Sequence, residues 1–275
     1  MLPHCINHLR ESGIEKIVVL DNESTDNSAQ IALDHGVAMI SFSSDGLFCE
    51  ETMTRAIRNT IDSLPSKFDW VLKIDADEFL YPSGSNETLH EFIERTNREG
   101  FNCAAAFSHQ TYPMSDEARV LELHFDPLKV LSHVIPHVHN DKYSLEHHAL
   151  YRCIWKVNVF HRGLQYKNPH YVSGTMRLHP DLLLLRHIPY TTQEASRERL
   201  LEGRKKRLSK RNFEIGLSTH YQELSDNDPF TFDHLRASCF DWDYLLRSYR
   251  KCFNTTLGEI AKKLNTADPS GHATA

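Results

Sequence analysis

Residues 73–80 read Lys-Ile-Asp-Ala-Asp-Glu-Phe-Leu and are the most informative stretch of this chain. The stretch begins where the apolar run Trp70–Leu72 ends, and this run predicts a short buried strand. Three carboxylates follow at once, on Asp75, Asp77 and Glu78. Carboxylates this close repel one another, and one of them takes up a proton unless a positive charge lies among them. Because hard oxygen ligands suit Mg²⁺ or Mn²⁺, we predict a divalent-cation site here, with a solvated acidic turn as the alternative.

A second segment has the pattern of a strand, a polar turn and a helix. The apolar run Ile17–Leu20 predicts a buried strand that leads directly into the polar residues 21–28. The polar side chains at 24–26 suit a helix N-cap, and a capped turn alone would explain them. A carboxylate at the carboxyl end of a parallel strand faces the crevice where open α/β sheets bind ligands. We therefore expect Asp21 and Asp75 to end two strands of one sheet and to face one cleft.

These segments resemble motifs of family 2-like glycosyltransferases, which have the GT-A fold. Residues 21–26, Asp-Asn-Glu-Ser-Thr-Asp, are similar to that family's Asp-Asn/Asp-Gly-Ser-Thr-Asp turn. Residues 75–80, Asp-Ala-Asp-Glu-Phe-Leu, resemble its Asp-x-Asp metal motif, and the spacing of roughly fifty residues is typical. Residues 182–190 resemble the late strand whose final His completes the metal site, with weaker similarity around Lys156 and around 169–170.

The resemblance covers about residues 1–205 and implies a reaction as well as a fold. The reaction is transfer of a sugar from a nucleotide-diphosphate donor, UDP-linked, to a hydroxyl of a glycan or a lipid-linked acceptor, with inversion. The implied cofactor is Mn²⁺ or Mg²⁺. The implied metal ligands are Asp75, Asp77 and His187. The implied donor-binding residues are Asp21, Asp75 and Lys156, and the implied catalytic residue is His170.

The residues themselves leave two roles open. A second positive charge on the diphosphate has three candidates, namely Lys156, Arg162 and Arg186. The base must lie within hydrogen-bond reach of the acceptor hydroxyl. The candidates for this role are Glu146, His147, His148, His161 and His170.

The chain also departs from the family pattern at two places. It begins at Met1 in a predicted helix, whereas the family begins with a strand and a Val-Lys-Asn-Glu turn that contacts the nucleotide. Without that strand we expect weak donor binding, slow transfer, and an unpaired edge on the strand at 17–20 that favours association. Glu23 stands where the family has Gly, and a positive φ there would cost about 1 kcal/mol or more.

Two other functions compete with sugar transfer. A metal-dependent phosphatase can also use an Asp-x-Asp motif, but that chemistry expects Thr two residues after the second Asp, where this chain has Phe79. The other alternative is an inactive transferase fold that serves as a sugar-binding or assembly module, and the absent first strand favours it.

Composition excludes several classes of protein. With 275 residues, 40% of them hydrophobic and 25% charged, the chain can bury a sizeable core. A net charge of −6 argues against general nucleic-acid binding, which normally needs an excess of basic residues. No apolar run approaches the roughly 20 residues of a membrane span, and no signal peptide is recognisable. The six cysteines form no Cys-x-x-Cys pair, so we expect reduced thiols in a cytoplasmic protein.

The pattern along the chain predicts an α/β, GT-A-like domain over residues 1–190. Strands and helices alternate through residue 98, which predicts a mainly parallel sheet flanked by helices. Four later strands are predicted, at 102–107, 120–124, 151–160 and 182–187.

A helical appendage is predicted over residues 191–266, followed by a disordered tail at 267–275. Its first helix starts with a capping box from Thr191 to Glu194 and is strongly basic over 194–211. We interpret that basic surface as a solvated face, with peripheral contact to anionic lipid as the alternative.

Overall fold

A computed structural model defines residues 1–83, 87–136, 155–168 and 170–252 of the chain. Three of the candidate bases, Glu146, His147 and His148, lie outside these residues, and so does the predicted tail.

The first hundred residues alternate between helices and strands as predicted. The elements here are α1 (Leu2–Glu11), β1 (Val18–Asp21), α2 (Ser28–Asp34), β2 (Ala38–Ser41), α3 (Glu50–Ser63), β3 (Trp70–Leu72), β4 (Glu78–Pro82) and α4 (Leu89–Arg98). β1 and β2 are parallel, from Val18 opposite Ala38 to Asp21 opposite Ser41, because α2 returns the chain between them. They form a two-stranded sheet of their own. The prediction that Asp21 and Asp75 end strands of one sheet is therefore wrong.

The second part of the chain supplies most of the main sheet. Its elements are β5 (Cys103–Thr111), α5 (Ser115–Leu123), α6 (Pro127–Val130), β6 (His133–Pro136), β7 (Trp155–His161), β8 (Gln165–Tyr166), β9 (Val172–Ser173) and β10 (Leu183–His187). The last described elements are α7 (Gln193–Arg197), α8 (Lys210–Glu214), β11 (Phe240–Asp241) and α9 (Trp242–Cys252). A π-helical segment, Glu198–Lys205, follows α7 directly, and two 3₁₀ turns lie at Thr219–Glu223 and Asp233–Ser238.

The main sheet is mainly antiparallel, which corrects the predicted parallel sheet. Its order runs β11-β6-β5-β10-β4, with β7 also paired to β5 and β3 paired to β7. Only the pair of β10 with β5 is parallel among these ladders. The reason is that β3 and β4 follow one another without pairing, and each takes its partner from the later half of the chain. The coarser prediction of a mixed α/β fold holds.

The strand β10 explains the uninterrupted leucine run at 182–185, which is fully buried. Leu183 and Leu185 pack with Phe92 of α4 in one cluster, whereas Leu184 packs with Trp242 of α9 in another. A strand covered on both faces reads as a continuous apolar run instead of an alternating one.

Two predictions of secondary structure after residue 110 are wrong. Residues 120–124, predicted as a strand, lie mostly in the helix α5, which buries Leu121 but leaves Val120 and Leu123 exposed. The basic helix begins one residue later than predicted, because Thr192 and not Thr191 is the cap and accepts from the Ala195 amide. It is also broken into α7, the π-helical segment and α8.

A large cleft of about 2450 Å³ separates the β1–β2 unit from the edge of the main sheet. Its lining includes the apolar strand residues Val18, Leu20 and Val71 as well as the turn at 75–77. Within the described residues β1 pairs only with β2 and β3 only with β7, so each strand has one unpaired edge. No helix in this part of the chain combines the length and apolar character needed to cross a lipid bilayer.

Candidate active site

The acidic turn between β3 and β4 is anchored to two neighbouring strands. The Lys73 amide donates to the Asn158 carbonyl at 2.8 Å, and the Asn158 amide side chain donates back to the Lys73 carbonyl at 2.7 Å. At the other end the Ile188 amide donates to the Asp77 carbonyl at 2.8 Å. The turn is thus fixed between β7 and the end of β10.

The predicted metal ligands Asp77 and His187 meet at this turn. β4 and β10 are antiparallel with His187 opposite Glu78, which places the imidazole beside the preceding residue. His187 Nε2 lies 3.1 Å from Asp77 Oδ2, and Arg199 Nη2 donates to the same oxygen at 2.5 Å. Burial alone would raise the pKa of Asp77, but the charges of Arg199 and His187 outweigh it and hold that pKa well below its usual value.

The other two carboxylates are paired with lysines. Asp75, whose side chain is 47% exposed, accepts from Lys73 Nζ at 2.7 Å and lies 4.0 Å from Lys156 Nζ. Glu78 is fully buried and bonds to Lys156, and its other oxygen accepts from the Asp75 amide at 3.0 Å. Each carboxylate of the cluster therefore has a cation from the chain itself. The repulsion that motivated the metal prediction is relieved by Lys73, Lys156 and Arg199.

The donor atoms at Asp77 and His187 still suit a divalent cation. One carboxylate and one imidazole on a shared face are ligands that Mn²⁺ accepts, and a cation that also binds substrate phosphates needs few protein ligands. Arg199 would have to leave Asp77 Oδ2 for such an ion to bind there. Among the residues that the structure defines, no group of three or more His, Cys, Asp or Glu is arranged to hold a metal.

The remaining predicted residues differ in how close they lie to this point. Lys156 lines the cleft but is committed to Glu78. His170 also lines the cleft, and its backbone is fixed because its carbonyl accepts from the Val157 amide at 3.0 Å. Asp21 accepts from the Ser24 amide at 3.2 Å and so holds the turn whose residues 22–26 line the cleft.

The other candidates for a diphosphate cation have structural roles. Arg162 donates to the Leu64 and Pro65 carbonyls, at 3.1 and 3.0 Å. Arg186 is buried and donates to the carbonyls of Leu128 and Leu131. The candidate base His161 accepts at Nδ1 from the Gly163 amide, 3.1 Å away.

Glu23 has the positive φ that the family's Gly implies, at 56°. Its carboxylate offsets this conformation by holding the loop at 43–46. It accepts from Ser43 Oγ at 2.7 Å and from the Ser44 and Gly46 amides at 3.3 and 3.2 Å. These bonds also explain why the pKa of Glu23 is lowered.

Three further residues lie at the cleft, and two of them, Arg199 and Cys5, have no predicted role there. Arg199 was grouped with a solvated basic face, although Leu200 and Leu201 beside it are an apolar pair that signals a buried side. Tyr166 is buried with a hydroxyl that has no hydrogen-bond partner among the described residues, and burial raises its pKa. Cys5 lies against the Asp75 carbonyl, and burial together with the nearby carboxylates raises its pKa to about 12.

Most of the basic run at 194–211 bonds within the protein. Arg197 donates to the Asp226 and Asp228 carbonyls, Lys205 to the Leu224 carbonyl, and Arg211 to the Glu51 carboxylate. This leaves little of the run for the peripheral lipid contact considered from the sequence.

The family model of glycosyltransferase family 92 matches residues 63–245, about two thirds of the chain. The chain belongs to glycosyltransferase family 92. The matched segment contains the acidic turn, Lys156, His170, His187 and Arg199, whereas Asp21 precedes it. A comparison with curated proteins gave no significant match.

For this family 92 protein the prediction of a glycosyltransferase is confirmed. The finer resemblance to family 2-like enzymes, and with it the metal role of residues 75–77, stays a prediction.

Proposed function

We propose that this family 92 glycosyltransferase moves a sugar from a UDP-linked donor to a hydroxyl of a glycan or lipid-linked acceptor, with inversion and with a divalent cation. The observation that carries the proposal is the convergence of Asp77 and His187, 3.1 Å apart, in the lining of the cleft. The cleft exceeds the roughly 300–1,000 Å³ of an ordinary small-molecule pocket, so it has room for two substrates.

The acidic turn is proposed to bind the donor diphosphate. Mn²⁺ or Mg²⁺, when bound, would supply Lewis-acid neutralisation of the leaving diphosphate, and Asp75, Asp77 and His187 would hold it. Lys73 and Lys156 keep the turn from repelling the phosphates, because they neutralise Asp75 and Glu78. The turn stabilised by Asp21 lines the same cleft and is proposed to contact the base or ribose.

The acceptor chemistry needs a base at the opposite side of the sugar. The acceptor oxygen forms a bond to the anomeric carbon while the bond from that carbon to the diphosphate oxygen breaks. The proton of the acceptor hydroxyl goes to a base within hydrogen-bond reach. We assign this role to His170, because it lines the cleft and its backbone is held by Val157 and Asn168.

The structure gives no support to the phosphatase alternative, which expects a Thr at position 79. The residue at that position, Phe79, is fully buried in the core cluster with Leu9 and Ile188 and offers no hydroxyl to the cleft.

The test compares D77N with a matched control, D116N, in which an exposed Asp paired with Arg236 receives the same change. We expect D77N to abolish the Mn²⁺-dependent thermal stabilisation by a UDP-sugar and to lower UDP release at least about a hundredfold. D116N should behave like the parent protein. Circular dichroism serves as the check that both variants fold. If D77N binds the UDP-sugar in Mn²⁺ as tightly as the parent does, the proposed site is wrong.

A further inference from the structure

Asp77 bonds to both His187 and Arg199, and Arg199 is the cation of this cluster that bonds to the carboxylate nearest His187. Arg199 Nη2 and His187 Nε2 both bond to Asp77 Oδ2, the oxygen that a metal between Asp77 and His187 would need. An ammonium or guanidinium at that oxygen supplies the charge that a divalent cation would otherwise supply. Arg199 and a divalent cation bound between Asp77 and His187 would therefore compete for Asp77 Oδ2.

Arg199 is also placed so that it is able to leave. One third of its side chain is exposed, and it lines the cleft beside the turn. By contrast Lys156 is itself buried and is paired with Glu78, whose side chain has no exposed surface. The backbone of Arg199 is held in place, since Leu200 and Leu201 pack with Phe230 in a buried cluster. It belongs to the π-helical segment, a form of helix that occurs frequently at functional sites.

A second bond keeps the guanidinium near the cleft if Asp77 is released. Arg199 Nη1 donates to the Pro189 carbonyl at 3.0 Å, two residues after His187. A diphosphate in the cleft would offer Nη2 a charged acceptor in exchange for Asp77, and guanidinium–phosphate bonds are among the strong charge-assisted ones. The exchange frees Asp77 Oδ2 when the donor arrives.

We propose that Arg199 is an exchangeable counter-ion of Asp77, which keeps divalent cations out of the donor-free site and makes the cation and the diphosphate bind together. This inference rests on the proposed function for the identity of the ligand. Coupling of this kind is reciprocal, so the diphosphate must raise the affinity for the cation by the same factor as the cation raises the affinity for the diphosphate.

The experiment measures Mn²⁺ binding by electron paramagnetic resonance of the free ion, with and without UDP, on the whole chain. The variants are R199Q, which removes the charge, R199K, which keeps it, and R197Q. Arg197 is the matched control because it lies only two residues before Arg199, at the end of α7, but bonds to the Asp226 and Asp228 carbonyls.

Without UDP we expect R199Q to bind Mn²⁺ at least about tenfold more tightly than the parent, because a unit charge near the site is removed. R199K and R197Q should stay within about threefold of the parent. UDP should tighten Mn²⁺ binding to the parent at least about tenfold and tighten it much less in R199Q.

Three results overturn the inference. The first is an R199Q affinity for Mn²⁺ no greater than the parent's, and the second is a gain in R199K equal to that in R199Q. The third needs only the parent protein, and is a Mn²⁺ affinity that UDP leaves unchanged. A parent protein that shows the coupling but releases no UDP from any UDP-sugar supports this inference and refutes the proposed transfer instead.

Discussion

Replacing Lys156 by Met tests how strongly the acidic turn depends on its buried ion pair. Lys156 on β7 bonds to Glu78 on β4, and the Glu78 side chain has no exposed surface. Met keeps most of the aliphatic stem but removes the charge, so Glu78 is left as a buried carboxylate with one amide donor from Asp75. Breaking a buried pair in this way costs about 3–5 kcal/mol. For a domain of this size that corresponds to a fall in melting temperature on the order of 10 °C.

Lys73 provides the matched comparison, because it forms the same kind of pair with a carboxylate that is nearly half exposed. Such pairs contribute about 0–1 kcal/mol, so K73M should lower the melting temperature by no more than about 4 °C. The double variant E78Q/K156M should recover much of the stability lost in K156M, because no buried charge is left unpaired. Thermal unfolding followed by circular dichroism measures all four proteins. A K156M melting temperature within about 2 °C of the parent's, or no recovery in the double variant, would refute the reasoning.

Two further predictions concern Glu23 and His109. E23A should lower the melting temperature about 2–4 °C more than E23G does, since both lose the bonds to residues 43–46 but only Gly tolerates the φ of 56° without strain; equal values would mean that the conformation costs nothing. Burial lowers the pKa of His109 from 6.5 to about 4, so the stability it contributes is complete above pH 6.5 and is lost as the pH falls from 6.5 to 4. The loss should be on the order of 3 kcal/mol in urea titrations, and H109Q should flatten that part of the pH profile; an unchanged slope in H109Q would contradict the assignment.

Local structure in the first hundred residues follows closely from the sequence, whereas the pairing of the strands does not. The helices predicted at 3–12, 26–35, 50–64 and 87–98 and the strands predicted at 16–20 and 37–41 all occur in the structure within a few residues of those bounds. The reason is that apolar spacing and polar turns are local signals. The partners of β3 and β4 are β7 and β10, which lie about 80 to 110 residues further along the chain. Nothing in the spacing of residues 70–82 distinguishes these partners from a neighbouring parallel strand.

The helix α5 shows a different cause of failure. The run Val120–Leu123 has the β-branched and leucine content of a strand, yet only Leu121 is buried. The contacts that stabilise the first turn of this helix lie outside the run Val120–Leu123. Glu117 accepts from the Met114 amide at one oxygen and from the Ser132 amide and His133 Nδ1 at the other. These contacts to the start of β6 are tertiary, so a window of sequence around residue 120 does not contain them.

The candidate site was predicted in part, and the division has a physical reason. Asp77 and His187 are predicted together and do meet, because Asp77 directly precedes β4 and His187 ends β10, which runs antiparallel to β4. Arg199 lies 122 residues from Asp77 and was read as one of many cations on a basic helix. The pair Leu200 and Leu201 was the available signal, since apolar residues inside a basic run fix which neighbours turn inwards.

The cations that neutralise the acidic turn show that a cluster of carboxylates is not by itself evidence for a metal site. The three carboxylates predicted a cation, and the structure provides three, two lysines and one arginine, all from the chain. The pair of Lys156 with Glu78 is needed whether or not a metal binds, because Glu78 is buried, whereas Lys73 neutralises a partly exposed Asp75 within the same turn. The pair of Arg199 with Asp77 occupies the oxygen that faces His187, and Lys73 occupies one oxygen of the other proposed carboxylate ligand, Asp75. The argument for a metal site in this enzyme therefore rests on the meeting of Asp77 and His187 and not on the number of carboxylates. The test is whether Arg199 leaves Asp77 Oδ2 when the donor and the cation bind.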